Sequence, residues 1–353
     1  MLSIKAVYEV EADNLQEAAH AIAFGQSIGN PEVRTALDTP ELIETHVPRY
    51  EISGNKIQLD FPIKNFNEED GINYLLSVLM GGQTDIQSIQ SCKLVDLDLN
   101  LFSKHLFPRP RYGVTGIRKL LNVYSRPLLC GIVKPKIGLS PFKHAQICEE
   151  MALGGCDFIK EDEILNNQAF CPFKERLEAV RSALIGSNIL YIPCITGDGL
   201  RILKHAQIAE DLGFRFAHVN IWAGLGAYRE LRLHSDLGIF FQKSGERVWT
   251  TGPYSIDFKV LLKLAHLVGC DIAHVGMKGG YLNEETEELC ERIKVLGSTM
   301  PSFSCGMKPE LVPGLVREFG NDIIITSGGY LCGHPEGPRK GAAAFKEAIH
   351  QEV

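Results

Sequence analysis

The run FIKEDE at 158–163 places one lysine among three carboxylates, directly after an apolar stretch. Asp162 and Glu163 are hard oxygen donors of the kind that hold Mg2+. Lys160 beside them has the wrong charge for such a site, because an ammonium repels the cation. It becomes compatible with a metal if it is neutral, or if its amine reacts with CO2 to give a carbamate, which is an anion. Charged runs of this composition most often lie in solvated loops, so the chemistry depends on where the chain puts this one.

Other segments carry groups that would suit the same site. IVKPKIG offers Lys134 and Lys136, and in an extended segment residues two apart face the same way. AHVGM sets His274 in an apolar run, where a lone histidine is more often a satisfied structural residue than a catalytic one. PSFSCGM contributes Ser304 and Gly306, and ITSGGYLCGHP contributes Gly328 and Gly329. Glycines at strand-to-helix turns let backbone N–H groups approach a phosphate. Taken singly, these are surface charges and turns. Taken together, they describe one site for an anionic substrate.

The elements that must position them follow a rhythm. From about residue 126 onward, eight short apolar runs alternate with helical segments: LLCGIVKP, DFIKED, ILYIPCIT, FAHVNI, RVWTTG, DIAHVGM, PSFSCGM and DIIITSGG. Stretches such as PFKHAQICEEMALGG between them close on glycine, as helices do. This predicts a (β/α)8 TIM barrel of the α/β class, with a doubly wound sheet as the weaker alternative. In a barrel, chemistry sits at the C-terminal ends of the strands, and the KED run falls there. Residues 1–125 mix strand patterns (SIKAVYEVE, KIQLDFPI, SCKLVDLDL) with helical ones (NLQEAAHAIAFGQ, GINYLLSVLMGG), predicting a small α+β, ferredoxin-like domain. The Pro-rich stretches LFPRPRYG and VYSRPLL put the seam near residue 125.

Composition narrows the partners. The chain has 353 residues, 45% of them hydrophobic, and a formal charge of −7, which suits a folded protein and argues against nucleic-acid or anionic-membrane partners. No window approaches the ~18 apolar residues of a membrane helix, and the N-terminus does not resemble a signal peptide. The ten cysteines lack a CxxC pair and several lie in apolar runs, so they read as reduced thiols in a cytoplasmic protein.

The segment GIVKPKIGLSPFKHAQICEEMALGGCDFIKEDEILNNQAFCPFKERL resembles the ribulose bisphosphate carboxylase (RuBisCO) large-chain superfamily, whose pattern reads KPKxG, GGxDFxKDDE and N-x-Q-x-F. The closing SGGYLCGHPEGPRKGAAAFKEAI resembles that family's phosphate-binding glycines and last helix. The resemblance implies that Lys160 is the carbamylated lysine and that it binds Mg2+ with Asp162 and Glu163. It implies that Lys134 exchanges a proton with the enediolate and that Lys136 assists. It also implies that His274, Ser304, Gly306, Gly328 and Gly329 contact a phosphorylated substrate. A homodimer or higher homo-oligomer is implied too, with one subunit's N-terminal domain over another's barrel mouth.

The departures from the family pattern shift the expected reaction. Where the carboxylases carry a lysine in the loop after strand six, this chain reads GMKGGYLNE, with Tyr281 at that place and Lys278 too early. The family's His-x-His-Arg at strand five is replaced by VWTTGPYS at 248–255, with Thr250 and Thr251 as candidates for the histidine's place. The N-terminal substrate contacts are replaced near FGQSIGNP, and a Gly-Asn reads Gly82-Gln83. These changes point to a type IV RuBisCO-like protein that enolises a phosphorylated keto-sugar or keto-acid, as an isomerase, enolase or decarboxylase/transcarboxylase in sugar-acid or methionine-salvage metabolism. A functional carboxylase and a catalytically silent regulatory relative are the alternatives. Lys160 serving unmodified also stays open.

Overall fold

The computed structural model describes residues 2–29, 33–102 and 106–351. It divides into two units: the chain up to Pro108 together with Gly245–Leu267, and Arg109–Ser244 together with the chain from Val268 on. The seam expected near residue 125 lies inside the second unit, because the helix Gly113–Leu121 packs with the barrel.

In the first unit, strands Ser3–Ala12, Arg49–Ser53, Lys56–Pro62 and Ile89–Leu97 alternate with helices Leu15–Gly25 and Gly71–Leu79 in the ferredoxin-like βαββαβ order. Ser3–Ala12 lies at the centre, antiparallel to both Lys56–Pro62 and Ile89–Leu97. Its alternate residues Ile4, Ala6, Tyr8 and Val10 are buried, the period-two pattern of a strand with one covered face. Strand Arg49–Ser53 and helix Pro40–His46 were not expected from the sequence.

The second unit is the barrel. Its strands are Leu128–Ile132, Phe158–Lys160, Leu190–Ile192, Phe216–Asn220, Gly238–Gln242, Ile272–Gly276, Met300–Phe303 and Ile324–Ser327, all parallel to their neighbours. The third and fourth strands meet through a parallel bridge between Cys194 and His218, which closes the ring and rules out the doubly wound sheet. Seven strands fall in the expected apolar runs. The fifth does not: RVWTTG forms the short helix Arg247–Thr250, and Tyr254–Ile256 adds a parallel edge strand to the sheet of the first unit. The fifth barrel strand is GIFFQ, buried along its whole length.

The barrel floor is apolar. Leu128, Phe158, Leu190, Phe216, Phe240, Ile272, Met300 and Ile324 pack over Ile117 and Leu121 of Gly113–Leu121. Asp271 fixes that helix by accepting the N–H groups of Tyr112 (2.5 Å) and Gly113 (3.0 Å), and it also accepts that of Ile239 (2.9 Å).

The end of the second strand is held from outside the ring. Glu161 is fully buried and takes a two-pronged pair from Arg176 (2.6 and 3.0 Å), the Tyr191 hydroxyl (2.5 Å) and the Cys194 N–H (2.8 Å). Arg176, on helix Phe173–Ala183, also donates to the carbonyls of Cys171 and Asn166, both at 2.7 Å. His144 meets the Tyr191 hydroxyl through Nε2 at 2.9 Å. Burial outweighs the nearby Glu161 carboxylate and pushes the His144 imidazole down to about 4.

Two outcomes follow from this cage. Arg176→Met leaves the Glu161 carboxylate buried without its cation and should cost about 3–5 kcal/mol, read as a lowered denaturation midpoint, whereas Arg176→Met combined with Glu161→Gln should recover part of the loss. His144 stays neutral in the folded protein while it protonates near pH 6.5 in the unfolded chain, so its contribution is present above about pH 6.5 and is lost as pH falls toward 4. The loss should reach about 3 kcal/mol, and urea titrations from pH 7 to 4.5 should show a flatter profile for His144→Gln.

Candidate active site

Strand period two sorts the charged run. Glu161 faces the surrounding helices, while Lys160 and Asp162 face the other way. Lys160 is fully buried, its Nζ donating to the Glu161 carbonyl at 3.0 Å and lying 5.6 Å above the Phe240 ring. Desolvation is the largest influence on it and holds its pKa below the usual lysine value, although Glu163 and Asp162 pull the other way. A buried amine biased toward its neutral form is the form that reacts with CO2.

Asp162 is 2% exposed and gathers both lysines of the first strand's end. Lys134 Nζ forms a very short ion pair with Oδ2, and Lys136 Nζ lies 3.8 Å from Oδ1. The expectation that the two lysines face the same way is met. Glu163 lies next along the loop, its Oε1 accepting from Ser244 Oγ at 3.0 Å. Two carboxylates and a buried amine, with two ammonium groups on one of those carboxylates, make a donor set that fits a divalent cation once Lys160 is neutral or carbamylated.

The remaining predicted residues stand on the sixth, seventh and eighth strands. His274 is buried, its Nδ1 facing the Ser302 hydroxyl at 3.1 Å and the Ser304 hydroxyl at 3.3 Å. Desolvation, with Lys160 and Lys243 adding to it, holds this imidazole well below the usual histidine value. It is therefore a neutral ring that can offer one N–H. Cys305 and Gly306 both have left-handed φ, 89° and 92°. At Gly306 a side chain would fall on the backbone nitrogen of Tyr281, so the loop after strand six lies directly against this turn. At Gly328 a Cβ would come within 2.8 Å of Lys134 Cε, whereas Gly329, opening the turn Gly329–Cys332, has nothing against it.

The loop after strand six is tied down. Glu284 accepts the Met277 N–H at 3.1 Å and Arg292 at 2.5 Å, and Gly279 N–H donates to Asn283 at 2.7 Å. Lys278 donates to both carboxylate oxygens of Glu318 (2.8 and 2.7 Å) and to Thr286. Tyr281, 86% exposed, occupies the loop's crest.

Sequence reasoning missed the end of the true fifth strand, Gln242, Lys243 and Ser244. Gln242 Nε2 donates to Ser244 Oγ at 2.8 Å, which in turn donates to Glu163. Lys243, 8% exposed, follows the last residue of this strand, where the sequence reading places no basic residue. Thr250 and Thr251 lie at the end of the short helix Arg247–Thr250 in the other unit, and neither belongs to a barrel strand. Gln83 is buried in the first unit, donating to the Leu79 carbonyl and accepting from Gln26, both at 2.5 Å. In FGQSIGNP, Asn30 and Pro31 lie outside the described residues.

Residues 113–353 match the family described as ribulose bisphosphate carboxylase large chain, catalytic domain. The ribulose bisphosphate carboxylase of Pyrococcus furiosus is 30% identical over 371 residues, spanning 99% of this chain and 88% of that one. The octameric Rubisco of Pyrococcus horikoshii, solved as a complex with sulfate ion, superposes with a TM-score of 0.91 at 28% identity, covering 99% of this chain and 88% of its own. A rubisco-like protein, MtnW, from Alicyclobacillus acidocaldarius superposes with a TM-score of 0.86 at 26% identity, covering 99% and 93%. On the barrel, on the run at its second strand and on these matches, the chain belongs to the RuBisCO large-chain family.

Proposed function

We propose that this protein enolises a phosphorylated keto-sugar or keto-acid and does not fix CO2. One observation carries the reading: Lys134, Lys136, Lys160, Asp162 and Glu163 converge at neighbouring strand ends, while Lys278, the cation of the loop after strand six, is bound away in an ion pair with Glu318. The first group suits removal of a proton next to a carbonyl. The second leaves Tyr281, an uncharged phenol, where a new carboxylate would need a fixed positive charge.

Asp162, Glu163 and Lys160 as its carbamate would hold Mg2+, which supplies Lewis-acid polarisation of the carbonyl and its adjacent hydroxyl. Lys134 is a quarter exposed, so its amine can exchange a proton with a substrate carbon, and Lys136 shares its partner Asp162. The Gly328–Gly329 turn offers backbone N–H groups to a phosphate, with open space at Gly329. The buried hydroxyl of Ser304 and the neutral His274 ring can orient substrate hydroxyl or phosphate oxygens by hydrogen bonds. A homodimer or higher homo-oligomer is part of the proposal, supported by the octameric Pyrococcus horikoshii relative. No helix among the described residues is long and apolar enough to cross a membrane.

The test is proton–deuterium exchange in D2O, followed by NMR with Mg2+ and bicarbonate, across phosphorylated keto-sugars and keto-acids including ribulose bisphosphate. Exchange into one compound is expected to require Mg2+, to fall about 10²–10⁴-fold in Lys134→Ala, and to vanish together with Mg2+ affinity in Lys160→Ala. Silence across the panel from folded protein would count against enolisation. Lys278→Ala should change exchange by less than about twofold, since surface ion pairs contribute little, and neither protein should incorporate labelled CO2. Incorporation that depends on Lys278 would restore the carboxylase reading.

A further inference from the structure

The fourth barrel strand brings a histidine to the lysine at the centre of the site. His218 is fully buried, and neither Nδ1 nor Nε2 has a hydrogen-bond partner among the described residues. A neutral imidazole carries one donor and one acceptor, and leaving them unmet inside a protein is costly. The backbone around His218 is fixed: its N–H donates to the Pro193 carbonyl at 2.9 Å and its carbonyl accepts from Ile195 at 3.1 Å, as part of the bridge that closes the barrel. The ring therefore cannot move far to find a partner.

What faces that ring includes no anion. The Glu161 carbonyl, which already takes Lys160 Nζ, faces the His218 imidazole without reaching hydrogen-bonding geometry. The titratable side chains that act on the ring are Lys160, His274 and Arg176, none of them an anion. Beneath, Phe240 pairs with His218 in register and lies under the Lys160 amine. A carboxylate attached to Lys160 would bring an anionic acceptor into this pocket from its one reactive nitrogen.

We infer that His218 is the hydrogen-bond partner of a carbamate on Lys160, donating its ring N–H to a carbamate oxygen and holding the modified side chain in place. The inference rests on the reading of Lys160 as a carbamylated residue. In the reaction, the neutral amine of Lys160 attacks the carbon of CO2, an N–C bond forms, and one C=O π pair moves onto oxygen. One amine proton leaves to solvent. His218 takes no part in the transfer and acts as a positioning residue.

The experiment is 13C NMR of metal-free protein equilibrated with 13C-bicarbonate, with the carbamate signal assigned by its loss in Lys160→Ala. Relative to the unmutated protein, His218→Phe should need about tenfold more CO2 for equal occupancy, the factor expected for a hydrogen bond to a charged group. His218→Gln keeps a donor and should stay within about threefold. In the unmutated protein carrying 15N-histidine, the His218 ring N–H signal should shift when CO2 is added, a readout independent of how the variants fold. Equal CO2 dependence in all three proteins, or an unshifted ring signal beside a clear carbamate signal, overturns the role of His218 alone. No carbamate signal in the unmutated protein overturns the carbamate reading and this inference with it.

Discussion

A buried carboxylate outside the ring and a buried amine inside it, on adjacent residues of one strand, form the constraint on which the rest of this site depends. Glu161 and Lys160 are both fully buried, and each ion alone would be expensive to remove from water. Nature's two solutions here differ. Glu161 receives a guanidinium, a hydroxyl and a backbone N–H. Such a pair adds little to net stability over an apolar substitute, yet it fixes which way the strand's side chains face. With Glu161 held outward, Lys160 and Asp162 must face inward. Lys160 receives one carbonyl and a ring face, and burial outweighs the pull of Glu163 and Asp162, so its discomfort as a cation is retained and becomes usable chemistry.

The barrel interior is layered accordingly. An apolar floor of Phe158, Phe216, Phe240, Ile272 and their neighbours packs on Ile117 and Leu121. Above it lie buried polar groups: Lys160, His218, His274, Ser302 and Thr326, with Ser302 bridging His274 (3.1 Å) and Thr326 (2.7 Å). The floor excludes water from beneath, which depresses the pKa of Lys160 and keeps both histidines neutral. Position in this stack, rather than residue type alone, decides which groups are reactive.

Much of this was legible in the sequence because parallel barrel strands are short apolar runs with polar ends. Seven strands and the KED run's location at a strand end follow from that rule. RVWTTG misled because valine, tryptophan and threonine favour strands locally, while tertiary context makes it a helical turn beside an edge strand of another sheet. A usable signal existed: DLGIFFQ repeats the Asp-Leu-Gly entry of DLGFRFAHVN, the fourth strand. Glu161 stood in the sequence only as one of the three carboxylates of the charged run. Its partners Arg176, Tyr191 and Cys194 lie 15 to 33 residues away in the chain, and no local pattern links them. His218 left no trace as a functional candidate, since in FAHVNI it reads as one polar residue of a buried strand.

The loop after strand six shows how a cation can be close in sequence and unavailable in space. Lys278 is one residue past Met277, whose N–H is tied to Glu284, and its ammonium is shared between Glu318 and Thr286. Releasing it would break charge-assisted hydrogen bonds, and Gly280 of the loop and Gly306 of the facing turn lie so close together that a side chain at either would strike backbone atoms of the other segment. The loop is therefore held by contacts at its root and at its crest. A lysine at the position of Tyr281 would stand at the crest, clear of Glu318, whereas the lysine present is spent on the root. Adding charge to this loop at 278 and adding it at 281 are thus different operations, and the chain has the one that builds the loop rather than the one that would act from it.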